Sequence, residues 1–357
     1  MTISSEVSQR IAMLRTIMIF GVVLLHTEAR LSVDQIDLDN TFHVIRAFFQ
    51  EGLFRATVPL LSLISGYLLF SSGFDLSPIK LYKKKIKTLA LPFFFFNIVF
   101  AAAMYVVEIA TGWAPWHQMT KMSEMELINA FYGISAYPIN FPMYFVRDLL
   151  VVMLLVPLFG LFLRHAPTIG LLLVGAVFWS DLDGDLINRS TIPIFFYVGG
   201  LAAVRNWNLT AADRHALPCL ALVLIGAAAI VAFRIMDITP FTLAAPFLIW
   251  AAASKLVQTK AGRWAQRHSK YSFFIFCAHA PLQVVPYRIY QHSPWMPEAL
   301  HWFASPLICI AILIGVHRAA MRWMPKTFAF MTATRPATPA PAAAPATLVP
   351  ANGNAPA

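Results

Sequence analysis

The stretch RIAMLRTIMIFGVVLLHTEAR, residues 10–30, runs ten residues without a charge between Arg15 and His26. A helix rises about 1.5 Å per residue, so crossing a hydrocarbon core of about 30 Å takes about 20 residues. The stretch is long enough to cross only if both ionisable groups are counted into it. An ionisable side chain at such depth costs several kcal/mol unless it faces a partner or a cavity. Reading 10–30 as a span therefore obliges both Arg15 and His26 to have a reason for being there.

The rest of the chain supports the span. Of 357 residues 59% are hydrophobic and 12% charged, about half the charged fraction of a soluble domain, which is roughly 25%. Apolar runs recur along the whole length and predict an all-α polytopic membrane protein. Ten spans are expected, near 11–29, 53–71, 88–108, 142–163, 168–180, 190–204, 216–233, 239–256, 271–289 and 302–323.

The loops alternate in charge. One side carries Arg10, the run KLYKKKIKT at 80–88, Arg164, Arg205, Arg214, the set Lys255 to Lys270, and Arg318 to Lys326. The other is poor in Lys and Arg and holds Asp34, Asp37, Asp39, Glu124, Glu126, Asp181, Asp183 and Asp185. By the positive-inside rule the basic side is cytoplasmic, and ten spans place both termini there. The net charge of +10 is thereby explained by topology, and nucleic-acid binding is excluded. The polar N-terminus has no small-residue cleavage site after the first apolar run, so the first span is expected to be retained.

Residues 1–326 form the expected membrane domain, and 327–357, rich in Pro and Ala, a disordered cytoplasmic tail. In the long outward loop Trp113 and Trp116 suit an interface, and MSEMELINAFYGI (122–134) predicts a short amphipathic helix lying on the membrane. Cys219, Cys277 and Cys309 lie in apolar runs with no disulfide or metal spacing, and no metal is expected.

Eleven residues separate Arg15 from His26 by about 16 Å along a helix and return the second to within about 20° of the first. A cation at the inner end and an imidazole toward the outer end would line one face. Snorkelling of Arg15 to the inner interface and an interfacial role for His26 are the structural alternatives. Arg55, Arg147 and Asp148 enter the second and fourth spans from the outside, at the depth of His26. They fit either a cavity beside it or an ion-pair network holding the bundle, and Arg147 and Asp148, about 100° apart, need not pair. His279, in mid-span, reads as a packing donor or a member of the same cavity. The lysines after the second span read as ordinary cytoplasmic charge or as ligands for cofactor phosphates.

Taken in order, five blocks resemble the acyltransferase-3 family of bacterial membrane O-acyltransferases. They are the Arg-x10-His pattern of Arg15 and His26, RATVPLLSLISGYLL (55–69), the basic stretch leading into LALPFFFF (89–96), YFVRDLLVVMLLVPL (144–158) and YSFFIFCAHAPL (271–282). The resemblance runs from about residue 10 to about 323. It implies a ten-helix domain in the bacterial inner membrane that takes an acyl group, usually acetyl, from cytoplasmic acetyl-CoA or another acyl-CoA. The acceptor it implies is a hydroxyl of an envelope glycan.

On that reading Arg15, Lys83, Lys84 and Lys87 hold the CoA phosphates, and His26 is the base, its imidazole titrating near neutrality. Arg147 and Asp148 steady the developing charge or orient the imidazole, and Arg55 and His279 contact the acceptor. A flippase for a lipid-linked sugar, and an acyltransferase using a succinyl donor or a non-glycan acceptor, are the competing readings. A homodimer is compatible with the sequence.

Overall fold

In a computed structural model, residues 3–27, 32–114, 118–180 and 184–332 are described; Trp116, Asp181, Asp183 and the segment 333–357 lie outside them. The described residues form helices and connecting turns, with no strand among them. The long stretch first considered becomes α1 (Ser5–Leu25), opened by Ser4, whose hydroxyl accepts from the Val7 amide at 3.3 Å. His26 closes it as the C-cap residue.

The chain continues through α2 (Thr41–Ala47), α3 (Thr57–Ser71), α4 (Pro78–Lys85), α5 (Leu91–Thr111) and α6 (Glu124–Tyr132). Next come α7 (Tyr144–His165), α8 (Pro167–Ser180), α9 (Thr191–Val204), α10 (Ala216–Ala232) and α11 (Thr239–Ala252). The last are α12 (Lys260–His268), α13 (Ser272–Gln291), α14 (Glu298–Trp323) and α15 (Pro325–Thr332). Every expected span falls on a helix. Among the described residues, six helices can cross a membrane by length and hydropathy, and a seventh can if the pair bent by 116° between residues 239 and 291 counts as one. α8 and α9, of 14 residues each, reach only about 21 Å.

Close backbone approach holds the bundle together. A Cβ at Gly66 would lie 2.0 Å from the Phe196 carbonyl oxygen, and one at Gly199 2.0 Å from that of Leu63. α3 and α9 therefore touch backbone to backbone, the small-residue packing that membrane helices use in place of a hydrophobic driving force. Around this pair the largest apolar cluster joins α1, α3, α7, α9 and α13.

Ion pairs and hydrogen bonds join the elements at both ends of the bundle. At the basic end the fully buried Arg10 pairs with Asp213 at 2.5 Å and with Glu6 at 3.0 Å, and Arg164 pairs with Asp75 at 2.6 Å. At the other end Arg46 pairs with Glu298 at 2.5 Å, and the guanidinium of Arg234 donates to the Asp34 and Ile36 carbonyls. The helix expected in the outer loop is α6, with Ser123 and Glu126 in a capping box. Trp113 lies 4.7 Å beneath the Arg288 guanidinium. Residues 327–332, assigned from sequence to the tail, lie in α15, which buries Phe328 against Phe274 and His317.

Candidate functional site

Two features mark the face of α1 that carries Arg15 and His26. The first is a cavity of about 330 Å³ bounded by α1, α3, α4, α7 and α13. Its basic end is formed by Arg15, Lys84 and Lys85, and among the described residues Arg15 has no hydrogen-bond or ion-pair partner. Ser65, Ser72 and Ser272 add hydroxyls to an otherwise apolar wall, which climbs past Ile64 and Val146 to Phe145 and Phe276. The local fold explains which lysines arrive there. α4 ends at Lys85 and is followed by a π-helical turn, Ile86–Ala90, that brings Leu89 to the wall and breaks the α register. Lys83 and Lys87 are exposed and lie outside the cavity lining, while Lys84 sits 3.8 Å over the Phe74 ring at its edge.

The second feature lies beyond Phe276. The rings of His26 and His279 meet edge to face, 5.3 Å between centroids, and Phe141 touches His26 at 5.8 Å. Nδ1 of His26 is 2.7 Å from the Val22 carbonyl, and Nδ1 of His279 is 2.8 Å from that of Phe276. A carbonyl only accepts, so both Nδ1 atoms carry the proton and both Nε2 atoms present a bare lone pair. His279 is fully buried, and among the described residues its Nε2 has no hydrogen-bond partner. His279 thus packs across the contact of α13 with α1, against His26. One turn beyond His279, Gln283 ties α13 to the end of α1, its amide donating to the Val23 carbonyl at 2.9 Å.

Arg55 lies in a 3-10 turn, Leu53–Ala56, just before α3 and is paired at 2.7 Å with the buried Glu51, four residues back in a π-helical turn, Phe48–Gly52. Its charge reaches both His26 and Tyr144.

Arg147 and Asp148, expected to point apart, form an ion pair at 3.0 Å, because the arginine is long enough to reach round the helix. Arg147 also donates to the carbonyls of Gly133 at 2.7 Å, Ile134 at 2.6 Å and Leu186. Asp148, with no exposed surface, accepts from the amides of Asn188 at 3.2 Å and Arg189 at 3.0 Å. The pair ties down the two outer loops beside His26.

Sequence reasoning missed Asn97 and Asn140. The Asn140 amide donates to Asn97 at 3.1 Å and its side chain to the Cys277 carbonyl at 2.9 Å, fixing α5, the Phe141 loop and the helix of His279 together. Two asparagines 43 residues apart leave no local pattern, so only the signal of a polar residue in an apolar run was available. Among the described residues no group of three His, Cys, Asp or Glu is placed to hold a metal ion.

A basic inner cavity and an imidazole pair one aromatic ring away suit group transfer between the two sides. A family model described as an acyltransferase domain matches residues 9–318. The chain belongs to the acyltransferase-3 family. The match covers α1 to α14 almost entirely and every site residue named above, and leaves α15 outside. Among known proteins, the succinoglycan biosynthesis protein ExoH of Rhizobium meliloti (strain 1021) is 30% identical over 349 residues, 93% of each chain. No solved structure matches. The protein is a multi-pass, all-α member of this acyltransferase family.

Proposed function

We propose that the protein is an O-acyltransferase of the bacterial inner membrane that moves an acyl group, acetyl in the simplest case, from cytoplasmic acyl-CoA to a hydroxyl of an envelope glycan. The observation that carries this reading is the shared face of α1. It has Arg15 in a cavity with Lys84 and Lys85 at one end and the bare Nε2 atoms of His26 and His279 at the other. The reading takes ten crossings with both termini cytoplasmic, so that the basic end of the cavity faces the side where acyl-CoA resides. The name of the 30% identical relative supports a glycan as acceptor.

In this mechanism Arg15, Lys84 and Lys85 hold the CoA phosphates and the pantetheine arm lies along the cavity. Nε2 of His26 takes the proton of the acceptor hydroxyl as its oxygen attacks the thioester carbonyl. A general base so placed contributes typically 10²–10⁴-fold. The tetrahedral intermediate expels CoA as thiolate, the C–S bond breaks, and the proton held on His26 passes to sulfur, leaving an ester, free CoA and a neutral imidazole. Arg55 stands close enough to steady the oxyanion, and His279 accepts a hydrogen bond from the acceptor. Arg147 and Asp148 act one layer out, holding the loops that shape the acceptor side.

Mass spectrometry of envelope glycans tests the proposal, comparing cells with the intact protein, without it, and with His26→Ala at equal membrane abundance. Loss of an acyl mass increment both without the protein and in His26→Ala is expected. Glycans acylated normally in His26→Ala would overturn the assigned base, and glycans unchanged by deletion would overturn the acceptor class.

A further inference from the structure

The acyl-transfer chemistry leaves unused a surface at the outer end made by Tyr137, Phe141, Tyr144 and Arg189. The rings of Tyr137 and Phe141 are 4.7 Å apart, and Tyr144 closes the group at 5.5 Å from Tyr137 and 5.6 Å from Phe141. Tyr137 is 39% exposed and Phe141 41%, whereas Tyr144 is buried beneath them. The Arg189 guanidinium lies 5.9 Å over the Tyr144 ring and is exposed, and among the described residues it has no carboxylate partner. Phe141 also touches His26, so the surface ends where the hydroxyl must react.

Aromatic side chains at this level often do no more than anchor a protein at the membrane interface. Two observations argue for more. The outer rings pack on one another and on His26, instead of standing separately along a belt. The loops that carry them are fixed by a buried ion pair that, among the described residues, hydrogen-bonds to both of those loops. Arg147 holds the carbonyls of Gly133 and Ile134 at the root of the Tyr137 loop, and that of Leu186 in the next loop. Asp148 holds the backbone amide of Arg189 itself. Burying two charges is costly, and here the charges fix the relative placement of two aromatic rings and one cation. Such preorganisation is what a binding site needs.

The chemistry of the surface selects its ligand. Tyr and Phe faces offer flat apolar area to the C–H face of a pyranose, with a phenol hydroxyl for a hydrogen bond. An exposed guanidinium has the planar fork that matches a carboxylate. We infer that Tyr137, Phe141 and Arg189 form the acceptor subsite, and that it takes an acidic sugar, its ring against Phe141 and Tyr137 and its carboxylate on Arg189. The inference deepens the proposed function, resting on its assignment of a glycan as acceptor.

The test measures binding without acyl-CoA, by saturation-transfer-difference NMR on the full-length protein in nanodiscs. The probes are a uronic-acid-containing oligosaccharide and the same oligosaccharide after reduction of its carboxyls to alcohols. A charge-assisted contact worth about 1.5–3 kcal/mol corresponds to roughly 10- to 100-fold in affinity. The intact protein is expected to prefer the acidic form by at least about tenfold on that scale. Arg189→Gln should erase the preference while leaving the reduced form's affinity unchanged, Arg189→Lys should keep part of it, and Tyr137→Ala should weaken both forms.

Equal affinity for the two forms, a preference that survives Arg189→Gln, or indifference to Tyr137→Ala would overturn the subsite. So would failure of either form to bind to a protein with a native melting profile. Binding as expected with no acyl transfer under any condition would count against the proposed reaction and leave the subsite standing.

Discussion

Replacing Asp148 with Asn keeps the shape of a fully buried side chain and removes its charge. In the native protein its oxygens take the Arg147 guanidinium at 3.0 Å, the Asn188 amide at 3.2 Å and the Arg189 amide at 3.0 Å. An Asn in that place puts an NH₂ where one oxygen faces donors, and removes the carboxylate that Arg147 meets at 3.0 Å. Breaking a buried pair from one side costs about 3–5 kcal/mol. Because Arg147 keeps its three carbonyl acceptors, we expect the low end, about 3 kcal/mol, or roughly 150-fold in the folding equilibrium.

The double variant Arg147→Met/Asp148→Asn removes both charges. It should cost clearly less than the sum of Arg147→Met and Asp148→Asn, with a coupling of about 2 kcal/mol, within the range for residues sharing one network. Reversible unfolding in mixed micelles gives the energies, and acylation of envelope glycan in cells gives the function. Asp148→Asn should lower acylation more than the loss of folded protein explains, because Phe141 and Arg189 lose their fixed backbone. Single costs that simply add, to within about 0.5 kcal/mol, would refute the view that this pair acts as one clamp on the two loops.

Arg15→Gln should raise the KM for acyl-CoA about tenfold or more, the loss of one charge-assisted contact to phosphate, and spare the melting profile. CoA release from purified protein reads it, and an unchanged KM would remove Arg15 from the donor site. His26→Ala should lower acyl transfer by about 10²-fold or more while acyl-CoA still binds, checked by transfer assay and donor binding side by side. Gly66→Ala would place a methyl 2.0 Å from the Phe196 carbonyl oxygen, and since both sides of that contact are backbone the helices must part. A loss of at least about 1–3 kcal/mol is expected, seen as a lower melt and less monodisperse protein on size exclusion; a native melt would contradict the close contact.

The fold was legible because period and composition decide it, and the positions of the expected spans and helices agree within a few residues. Arg15 and His26 were legible for the same reason, since eleven helical steps return to one face whatever surrounds the helix. The lysines were less so. Lys84 and Lys87 share a face in an α-helix, but the π-helical turn at Ile86–Ala90 breaks that register, leaving Lys87 outside while Lys85, not singled out, lines the cavity. Arg147 and Asp148 were placed correctly on the helix but read as separable, because backbone angle says nothing of how far an arginine can fold back. The Arg10–Asp213 pair and the Asn97–Asn140 link were not legible at all, joining residues 203 and 43 positions apart. Such pairs are set by which helices become neighbours, and a single sequence does not carry that.

The inner cavity and the outer imidazoles do not yet communicate, and the residue between them is informative. The cavity wall ends at Phe145 and Phe276, whose rings are 5.9 Å apart, and Phe276 is 6.2 Å from His279 on its far side. Both phenylalanines are buried. In the proposed mechanism a thioester rising from Arg15 would have to displace them to reach His26. A site that held thioester, imidazole and water together would hydrolyse its donor, so on that mechanism a closed aromatic pair would shield acyl-CoA until an acceptor is seated. Phe276→Leu keeps the apolar filling at a modest packing cost but shortens the barrier. In the proposed enzyme it should raise CoA release in the absence of glycan several-fold, with acylation of glycan kept or lowered. Unchanged release without glycan, in a variant that still acylates glycan, would show that Phe276 does not separate donor from base.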